Sequence, residues 1–260
     1  KMNILWDLRL FSFGYGSRGA GRFTEALTKA IIECNDDFRI FAWGDKTKFH
    51  NSILENKLEW IPYRISNWKS DLFTIPALIL KHKIDLFHYW IALGPKWQIG
   101  LGLFNPCATV ATLYDPGVEL WDIPFLKAVR TSRYWKMQKR LIKSTDRFIC
   151  ISKATLSGFA GIFPSLKDRM QTIYMPLTDS RYKGKKRDPY LITLGGSIHK
   201  NCARVVKAFS MIKDSFPHYK LLILGKIDRK EENLESVTEN VFFEENMDFY
   251  HHHLTHASGL

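Results

Sequence analysis

The feature that most constrains the fold of this chain is an alternation between short apolar runs and longer segments with helical spacing. In the segment RFTEALTKAIIE, for example, Phe23, Leu27 and Ile31 share one helical face. This alternation predicts βαβ units, and therefore an α/β fold in which helices cover both faces of a parallel sheet. The strand-like runs of the first part are MNILWDL, FRIFAWG, LEWIPY, IDLFHYW, ATVATLYD, DRFICIS and MQTIYMP. Further helices are predicted at FTIPALILKHK, residues 121–143 and KATLSGFAGIF.

The same pattern predicts two units joined by a linker. Residues 178–189 interrupt the alternation, because they are polar and basic and contain Gly184 and Pro189. We therefore expect a Rossmann-like domain at residues 1–177 and the start of a second one at residues 190–260. The second unit offers three strands at most, and its final segment is predicted to be helical up to the last residue. Its strand-like runs are YLITLGG, YKLLILG and NVFFEE.

Composition limits the partners and the compartment. The formal net charge of +12 favours anionic partners such as phosphates or an anionic membrane. No nucleic-acid-binding module is recognisable, so nucleic acid is not an expected partner. Asp7 and Arg9 interrupt the first apolar run, which disfavours a signal peptide, and the four cysteines form no CxxC pair. These features predict a cytoplasmic protein without a metal, although the histidines at 251–253 leave a tag or a metal site as the alternative.

A glycine-rich loop, GYGSRGAGR at residues 14–22, follows the first predicted strand. Ligands of open α/β sheets bind beyond the carboxyl ends of the strands, where glycines and a helix N-terminus suit a phosphate. A dinucleotide fingerprint can be matched at Gly14, Gly16 and Gly19, but no acidic residue ends the second strand, and Asp45 fits that role poorly. The loop therefore predicts a phosphate site of another kind, with a tight turn that binds nothing as the alternative.

A second loop, GGSIHKN at residues 195–201, lies between an apolar run and the helical segment CARVVKAFSMI. Lys200, expected in the first helical turn, can reach a diphosphate beside the backbone amides. A plain surface lysine is the alternative. Two such loops, each after the first strand of its own sheet, predict a nucleotide-linked substrate in a cleft between two Rossmann-like units.

Four segments, in order along the chain, resemble motifs of the retaining glycosyltransferases of family 4. The resemblance implies the GT-B fold, with an N-terminal acceptor domain and a C-terminal domain that binds a sugar nucleotide. That family continues into a glutamate-bearing segment that has no counterpart before the final HASGL, so we expect an incomplete donor domain. The four segments are SRGAGRFTEALTKAI, ATLYDPGVELW, STDRFICISKATLSGF and YLITLGGSIHKNCARVVKAFSMIKDSFPHYKLLILG.

The resemblance also implies roles for individual residues. Asp115 and Tyr114 would position sugar or acceptor hydroxyls, and Lys200 would bind the diphosphate and support its departure. His88, expected at the end of a strand, and Arg22 would line the acceptor side. The remaining residues implied at the donor diphosphate are Gly19, Gly21, Gly195, Gly196 and Ser197.

The sequence departs from the family pattern at Tyr114 and near Lys200. Tyr114 stands where the family has a histidine that contacts the transferred sugar. The arginine that accompanies the family lysine is absent, and His199 is the nearest residue able to carry a positive charge. No metal or cofactor is implied, since the nucleotide-diphosphate sugar is itself the donor substrate.

A basic segment at residues 125–143 contains no acidic residue. Basic side chains recur at every third position from Lys127 to Lys139, with apolar residues between them. The segment predicts either a helix lying on an anionic membrane or an ordinary solvated basic face.

Together these observations predict a retaining, metal-independent glycosyltransferase that builds a cell-surface polysaccharide. Its acceptor would be a saccharide or a lipid-linked sugar at the cytoplasmic face of the membrane. One alternative is a non-catalytic or half-enzyme GT-B protein with a binding or assembly role. An NAD-dependent oxidoreductase is the weaker alternative, because the acidic residue that binds the cofactor ribose is missing.

Overall fold

The computed structural model of the chain describes residues 1–12, 16, 19–34, 37–49, 52–63, 68–91, 101–120, 122, 124–175, 188–195, 200–225, 240–244 and 257–259. The chain divides into two compact units, Lys1–Thr178 and Asp179–Leu260. Each unit contains its own parallel sheet, so the predicted α/β fold with two parallel sheets is confirmed. The first strand of the second unit begins at Asp188, inside the predicted linker.

Seven parallel strands form the sheet of the first unit, in the order β3-β2-β1-β4-β5-β6-β7. The strand order reverses between β1 and β4, and this switch point is where open α/β sheets usually bind ligands. The strands are β1 Met2–Asp7, β2 Phe38–Gly44, β3 Glu59–Pro62, β4 Leu86–Ile91, β5 Ala108–Leu113, β6 Arg147–Cys150 and β7 Met170–Thr172.

Helices cover both faces of this sheet, because alternate residues of each strand point to opposite faces. Ile4 of β1 packs in a core that includes Leu27, whereas Leu5 packs in a second core with Ile75 and Phe159. The helices of the first unit are α1 Arg9–Ser12, α2 Gly19–Cys34, α3 Ser52–Glu55, α4 Trp68–Lys81, α5 Gly117–Leu120, α6 Pro124–Thr131, α7 Arg133–Lys143 and α8 Lys153–Ile162. Two short 3₁₀ helices lie at Lys46–Lys48 and Pro164–Arg169.

The segment predicted to be helical at residues 121–143 is largely helical, but it forms two helices, α6 and α7, instead of one. Ser132 lies between them in an extended conformation, and its hydroxyl accepts a hydrogen bond from the Trp135 amide at 3.1 Å. This is an N-cap, which satisfies a backbone donor that a new helix leaves without a partner. The hydrophobic spacing on either side is helical, so spacing alone did not reveal the break.

The second unit has a four-stranded parallel sheet in the order β10-β9-β8-β11. A helix, α9 Cys202–Ile212, packs on it through Cys202, Val206 and Phe209. The prediction of three strands at most and a helical end is wrong, because residues 257–259 form a strand beside β8. Serine and glycine favour helices weakly, and the edge of β8 offers unpaired backbone groups. The strands are β8 Asp188–Leu194, β9 Lys220–Leu224, β10 Val241–Glu244 and β11 Ala257–Gly259.

Candidate active site

The start of α2 lies after β1, at the carboxyl edge of the first sheet. A side chain at Gly16 would come within 2.8 Å of the Phe11 ring, so this turn requires glycine. The amides of Gly19 to Arg22 have no carbonyl partner within the helix, and the first turn contains no acidic residue. Among the described residues, the nearest atom to a Cβ built on Gly19 is Met175 Cε, at 4.0 Å. The helix start therefore presents N–H groups that favour an anion, and no described residue lies closer than Met175 to this position.

The other two residues predicted on this helix point to different surroundings. Gly21 is buried on the side of α2 that faces the sheet, whereas Arg22 is exposed. An acceptor-side contact by Arg22 is compatible with this exposure. The Gly21 amide belongs to the first turn of α2, so its contact with a diphosphate, which could only be made through the backbone, stays a prediction.

Tyr114 follows β5 and ties that strand end to α2. Its hydroxyl donates to the Ala20 carbonyl at 3.1 Å and lies 2.9 Å from the Thr24 hydroxyl. Its ring makes an edge contact with Phe23. Burial raises the pKa of Tyr114 despite the hydrogen bond with Thr24, so the phenol stays protonated at neutral pH. Tyr114 thus fixes the position of the α2 start relative to the loop after β5.

Asp115 lies in a rigid loop that is also fixed from the opposite side by α8. Thr155 donates a hydrogen bond to the Tyr114 carbonyl at 3.1 Å. Gly158 lies so close to Pro116 that an added Cβ would come within 2.7 Å of it. One carboxylate oxygen of Asp115 accepts the Gly117 amide at 2.7 Å, and the side chain is partly exposed. The loop therefore presents a half-buried carboxylate at the carboxyl edge of the sheet.

His88 does not lie at the end of its strand, which corrects the prediction. The strand β4 continues to Ile91, and His88 is only 4% exposed. Its ring stacks on Trp6 at 4.1 Å, and its Nε2 lies 2.9 Å from the Thr112 hydroxyl. Burial lowers the pKa of His88 to about 3, so the imidazole is neutral at physiological pH. His88 is placed to pack β1 against β4 within the sheet.

Sequence reasoning missed a buried ionic cluster, the Arg9 cluster, formed by Asp7, Arg9 and Asp71. The Arg9 guanidinium contacts Asp7 at 2.7 Å and Asp71 at 2.8 Å, and it lies 3.7 Å from the centre of the Trp43 ring. All three charged side chains are at most 1% exposed. The cluster connects the end of β1 to α4, directly before the chain enters the glycine-rich loop. A charged pair two residues apart in an apolar run was its only local signal.

In the second unit, Gly195 and Lys200 lie around the end of β8. The Gly195 amide donates to the Leu224 carbonyl at 2.7 Å, so it is used by the sheet and is not available to a phosphate. Lys200 is exposed and lies before α9 rather than in its first turn, which corrects the prediction. Asn201 lies between Lys200 and α9, and its φ of 61° is in the left-handed region.

The start of α9 nevertheless combines two cations with an open helix N-terminus. Arg204 is exposed in the first turn, which follows Lys200 and Asn201 in the chain, and this turn contains no acidic residue. A positive side chain in this position is unfavourable beside the helix dipole unless an anion binds there. Sequence reasoning missed Arg204 because the family pattern places its arginine elsewhere. The predicted residues Gly196, Ser197 and His199 lie outside the described residues.

The basic segment carries its charges differently from the predicted stripe. The carboxylate of Glu119 in α5 neutralises one basic residue of the stripe, because it pairs with Lys139 at 3.0 Å. The same carboxylate accepts a hydrogen bond from the Trp135 indole N–H. Arg130 donates to the backbone carbonyl of Glu119. Burial opposes ionisation of Glu119, but these donors outweigh it and lower its pKa. The exposed basic side chains of α7 are Arg133, Lys136, Arg140 and Lys143, whereas the exposed Lys127 of α6 pairs with Asp122 at 2.8 Å.

The described residues contain no group of three histidine, cysteine, aspartate or glutamate side chains suited to a metal ion. No helix in this part of the chain is both long and apolar enough to cross a membrane. The histidines at 251–253 lie outside it.

Comparison with known families decides the assignment. The sequence profile of Glycosyltransferase Family 4 matches residues 17–181, which is more than half of the 260 residues. The chain belongs to glycosyltransferase family 4. The matched range of this family 4 protein includes Gly19, Tyr114 and Asp115. No curated protein sequence gives a significant match.

Solved structures resemble this family 4 chain along nearly its whole length. Sucrose-phosphate synthase from Thermosynechococcus elongatus is 14% identical with a TM-score of 0.61, covering 99% of this chain and 74% of that one. WaaG, a glycosyltransferase involved in lipopolysaccharide biosynthesis, is 14% identical with a TM-score of 0.56, covering 94% and 70%. HepE from Anabaena, in complex with UDP-glucose, is 12% identical with a TM-score of 0.58, covering 96% and 70%. At these identities the likeness concerns the fold, and the predicted GT-B fold is confirmed.

Proposed function

We propose that this family 4 chain is a retaining, metal-independent glycosyltransferase acting in cell-surface polysaccharide synthesis. It transfers a sugar from a nucleotide-diphosphate sugar to a saccharide or lipid-linked acceptor. The observation that carries the proposal is the family match over residues 17–181, which spans the Gly19 helix start and the rigid Asp115 loop. The UDP-glucose in the HepE structure and the lipopolysaccharide role of WaaG support the donor and the pathway by analogy.

The chemistry assigned to the residues follows from charge. Cleavage of the donor leaves a diphosphate whose negative charge grows in the transition state, and fixed donors and cations stabilise it. Lys200 and the amides at the start of α9 supply such groups. Asp115 orients a hydroxyl of the sugar or the acceptor as a charged hydrogen-bond acceptor, and the leaving phosphate takes the acceptor proton. This scheme needs no metal and no separate general base.

The test is release of nucleoside diphosphate from UDP-glucose and a panel of other sugar nucleotides, with and without saccharide acceptors. Asp115→Asn is the informative variant, since an amide oxygen still accepts the Gly117 N–H that Asp115 accepts at 2.7 Å. Loss of the charged acceptor is expected to lower turnover by roughly tenfold to a hundredfold while donor binding persists.

Three outcomes would contradict the proposal. Diphosphate binding without turnover in the wild type would assign the chain to the non-catalytic alternative. Tight NAD binding with no affinity for sugar nucleotides would assign it to the oxidoreductases. Turnover that is equal in wild type and Asp115→Asn would remove Asp115 from the reaction.

The exposed face of α7 supports a membrane-associated version of this function. Arg133, Lys136, Arg140 and Lys143 face solvent on a helix whose other side is buried through Trp135. Such a face attracts anionic lipid headgroups, and the attraction weakens as salt shortens the screening length. We therefore propose that this face holds the chain peripherally at the cytoplasmic side of the membrane.

Liposome flotation checks this proposal. Binding is expected to require anionic lipid, to fall with added salt, and to weaken by about tenfold or more when Arg133 and Lys136 are both changed to Glu. A double change at the exposed Lys167 and Lys207 reverses the same amount of charge elsewhere and serves as the control. Equal weakening by both pairs, or binding to neutral liposomes, would show that α7 is not the membrane face.

A further inference from the structure

A cavity of about 440 Å³ lies away from the candidate active site, at the amino edge of the first sheet. Asn3, Arg39 and Glu59 line it from the first halves of β1, β2 and β3. Lys81, His82 and Lys83 line it from the end of α4 and the turn that follows. The amino ends of parallel strands lie opposite the edge that carries Gly19 and Asp115, so this cavity is a separate feature.

The charges that line the cavity favour an anion. Arg39, Lys81 and Lys83 carry three positive charges, whereas Glu59 carries the one carboxylate. Glu59 is held by Arg39 through Nε and Nη2, with the Nη2 contact at 2.8 Å, and this pairing leaves the Nη1 N–H groups of Arg39 for another partner. Both lysines would repel a cation. A purely apolar ligand would displace water from their ammonium groups without replacing its hydrogen bonds, which costs desolvation free energy.

The end of α4 holds the two lysines in a fixed arrangement. Ile84 donates to the Ile79 carbonyl at 3.0 Å, and Lys83 donates to the Leu80 carbonyl at 3.3 Å, which together form a Schellman cap. The Asn3 side chain also donates to the Lys83 carbonyl, at 2.9 Å. The cavity wall is thus preformed, and a ligand would not have to order it.

Lys83 stands at a position that normally favours glycine. Its φ is 49°, in the left-handed region, where a side chain is unfavourable and glycine is the usual residue of a helix cap. The fold therefore gains nothing from a lysine here that glycine would not supply. The presence of a long cationic side chain, directed to a cavity, is an observation that the helix cap does not explain.

His82 adds a buried polar atom without a partner. Its Nε2 is inaccessible to solvent and forms no hydrogen bond with any described residue. Partial burial and the neighbouring Lys81 lower the pKa of His82 against the opposing effect of Glu59, so the ring is neutral at physiological pH. A neutral imidazole carries a single N–H, on one of its two ring nitrogens, so the ring adds a polar group without charge to the cavity wall.

We propose that this cavity binds a phosphoryl group, either of a small soluble phosphate compound or of a lipid headgroup. The two lysine ammonium groups and the Nη1 groups of Arg39 contact the phosphate oxygens, and the neutral His82 ring forms part of the cavity wall beside them. A phosphate suits the site because it is compact, carries more than one negative charge and has several acceptor oxygens. This site is independent of the proposed donor site.

The test uses the whole chain and a signal from the cavity itself, because phosphate can also bind near Lys200. Inorganic phosphate and pyrophosphate are titrated while the His82 ring resonance is followed by NMR, with sodium chloride of equal ionic strength as the reference. A saturable shift of His82 is expected with phosphate and not with chloride. No shift beyond that of chloride overturns the proposal.

Lys83→Gly is the decisive variant, since glycine suits the left-handed position and the fold is expected to be retained. It should weaken phosphate binding at His82 by about tenfold, as loss of one charge-assisted contact does. Lys29→Ala removes an exposed lysine of α2, paired with Glu33 and remote in sequence from the cavity, and should change nothing. Equal affinity of wild type and Lys83→Gly for phosphate overturns the proposal.

Vesicles of phosphatidic acid in phosphatidylcholine distinguish the two sources of the phosphate. Vesicle binding that Lys83→Gly weakens, while α7 is left intact, assigns the site to a lipid headgroup. Saturable binding of free phosphate or pyrophosphate with vesicle binding unaffected by Lys83→Gly assigns it to a soluble compound. Either result supports a phosphoryl site, and insensitivity of both kinds of binding to Lys83→Gly removes it.

Discussion

Replacement of Arg9 by methionine is expected to lower the free energy of unfolding of the first unit by about 3–5 kcal/mol. Arg9 is completely buried between Asp7 and Asp71, at 2.7 and 2.8 Å. Methionine fills much of the same volume but removes the positive charge that lies within 2.8 Å of both buried carboxylates. Removal of one member of a buried ion pair costs far more than loss of an exposed ion pair.

Urea unfolding followed by tryptophan fluorescence measures this loss in the first unit alone. All eight tryptophans lie within Lys1–Thr178, and Trp43 contacts the Arg9 guanidinium directly. The fluorescence transition therefore does not report the second unit, which removes the ambiguity of a chain whose units unfold separately.

A graded series of variants separates the buried charge from a general effect of losing arginine. Asp71→Asn removes one carboxylate and leaves the Asp7–Arg9 pair, so a smaller loss is expected. Arg39→Met removes an arginine whose partner Glu59 is 47% exposed, and the unfolding midpoint should hardly change. If Arg9→Met and Arg39→Met unfolded at the same urea concentration, the Arg9 cluster would not be a stabilising element.

The Arg9 cluster also shows where local sequence patterns stop being informative. Its third member lies 62 residues from Arg9, so no spacing rule connects them. The order of strands and helices, in contrast, follows from periodicity within a few residues, and it was predicted well. The errors occurred where a single contact decides the outcome: the Ser132 cap that breaks a basic helix, and the free edge of β8 that takes up β11.

For the candidate site, too, the sequence predicted the location but not the contacts of individual side chains. Its location after β1 and β5 follows from the general rule that parallel sheets bind ligands at their carboxyl edge. The roles of individual side chains depend on contacts that only folding reveals. The substrate contact of Tyr114 stays a prediction, and the sequence did not indicate that its hydroxyl lies against Ala20 and Thr24 of α2. His88 was predicted at a strand end, and it is buried in the sheet.

The second large effect is expected from Lys200→Ala, which should weaken binding of nucleoside diphosphates by roughly tenfold to a hundredfold. The exposed Lys200 lies just before α9, where Arg204 and the open first turn also favour an anion. A charge-assisted contact with phosphate is worth about 1.5–3 kcal/mol. Turnover should fall by more than binding, because the charge on the leaving diphosphate is larger in the transition state than in the bound substrate.

Isothermal calorimetry with UDP, GDP and ADP on wild type, Lys200→Ala and Lys207→Ala tests whether Lys200 contributes specifically to diphosphate binding. Lys207 is exposed on α9, about two helical turns beyond Lys200, and has the same charge, so its removal tests whether any lysine near the start of α9 would serve. A site at the helix start predicts a loss for Lys200→Ala alone. Equal losses in both variants would indicate a general electrostatic attraction to a basic chain, since distance from the helix start would then not matter. Equal affinities in all three proteins would leave the turn before α9 with a structural role only.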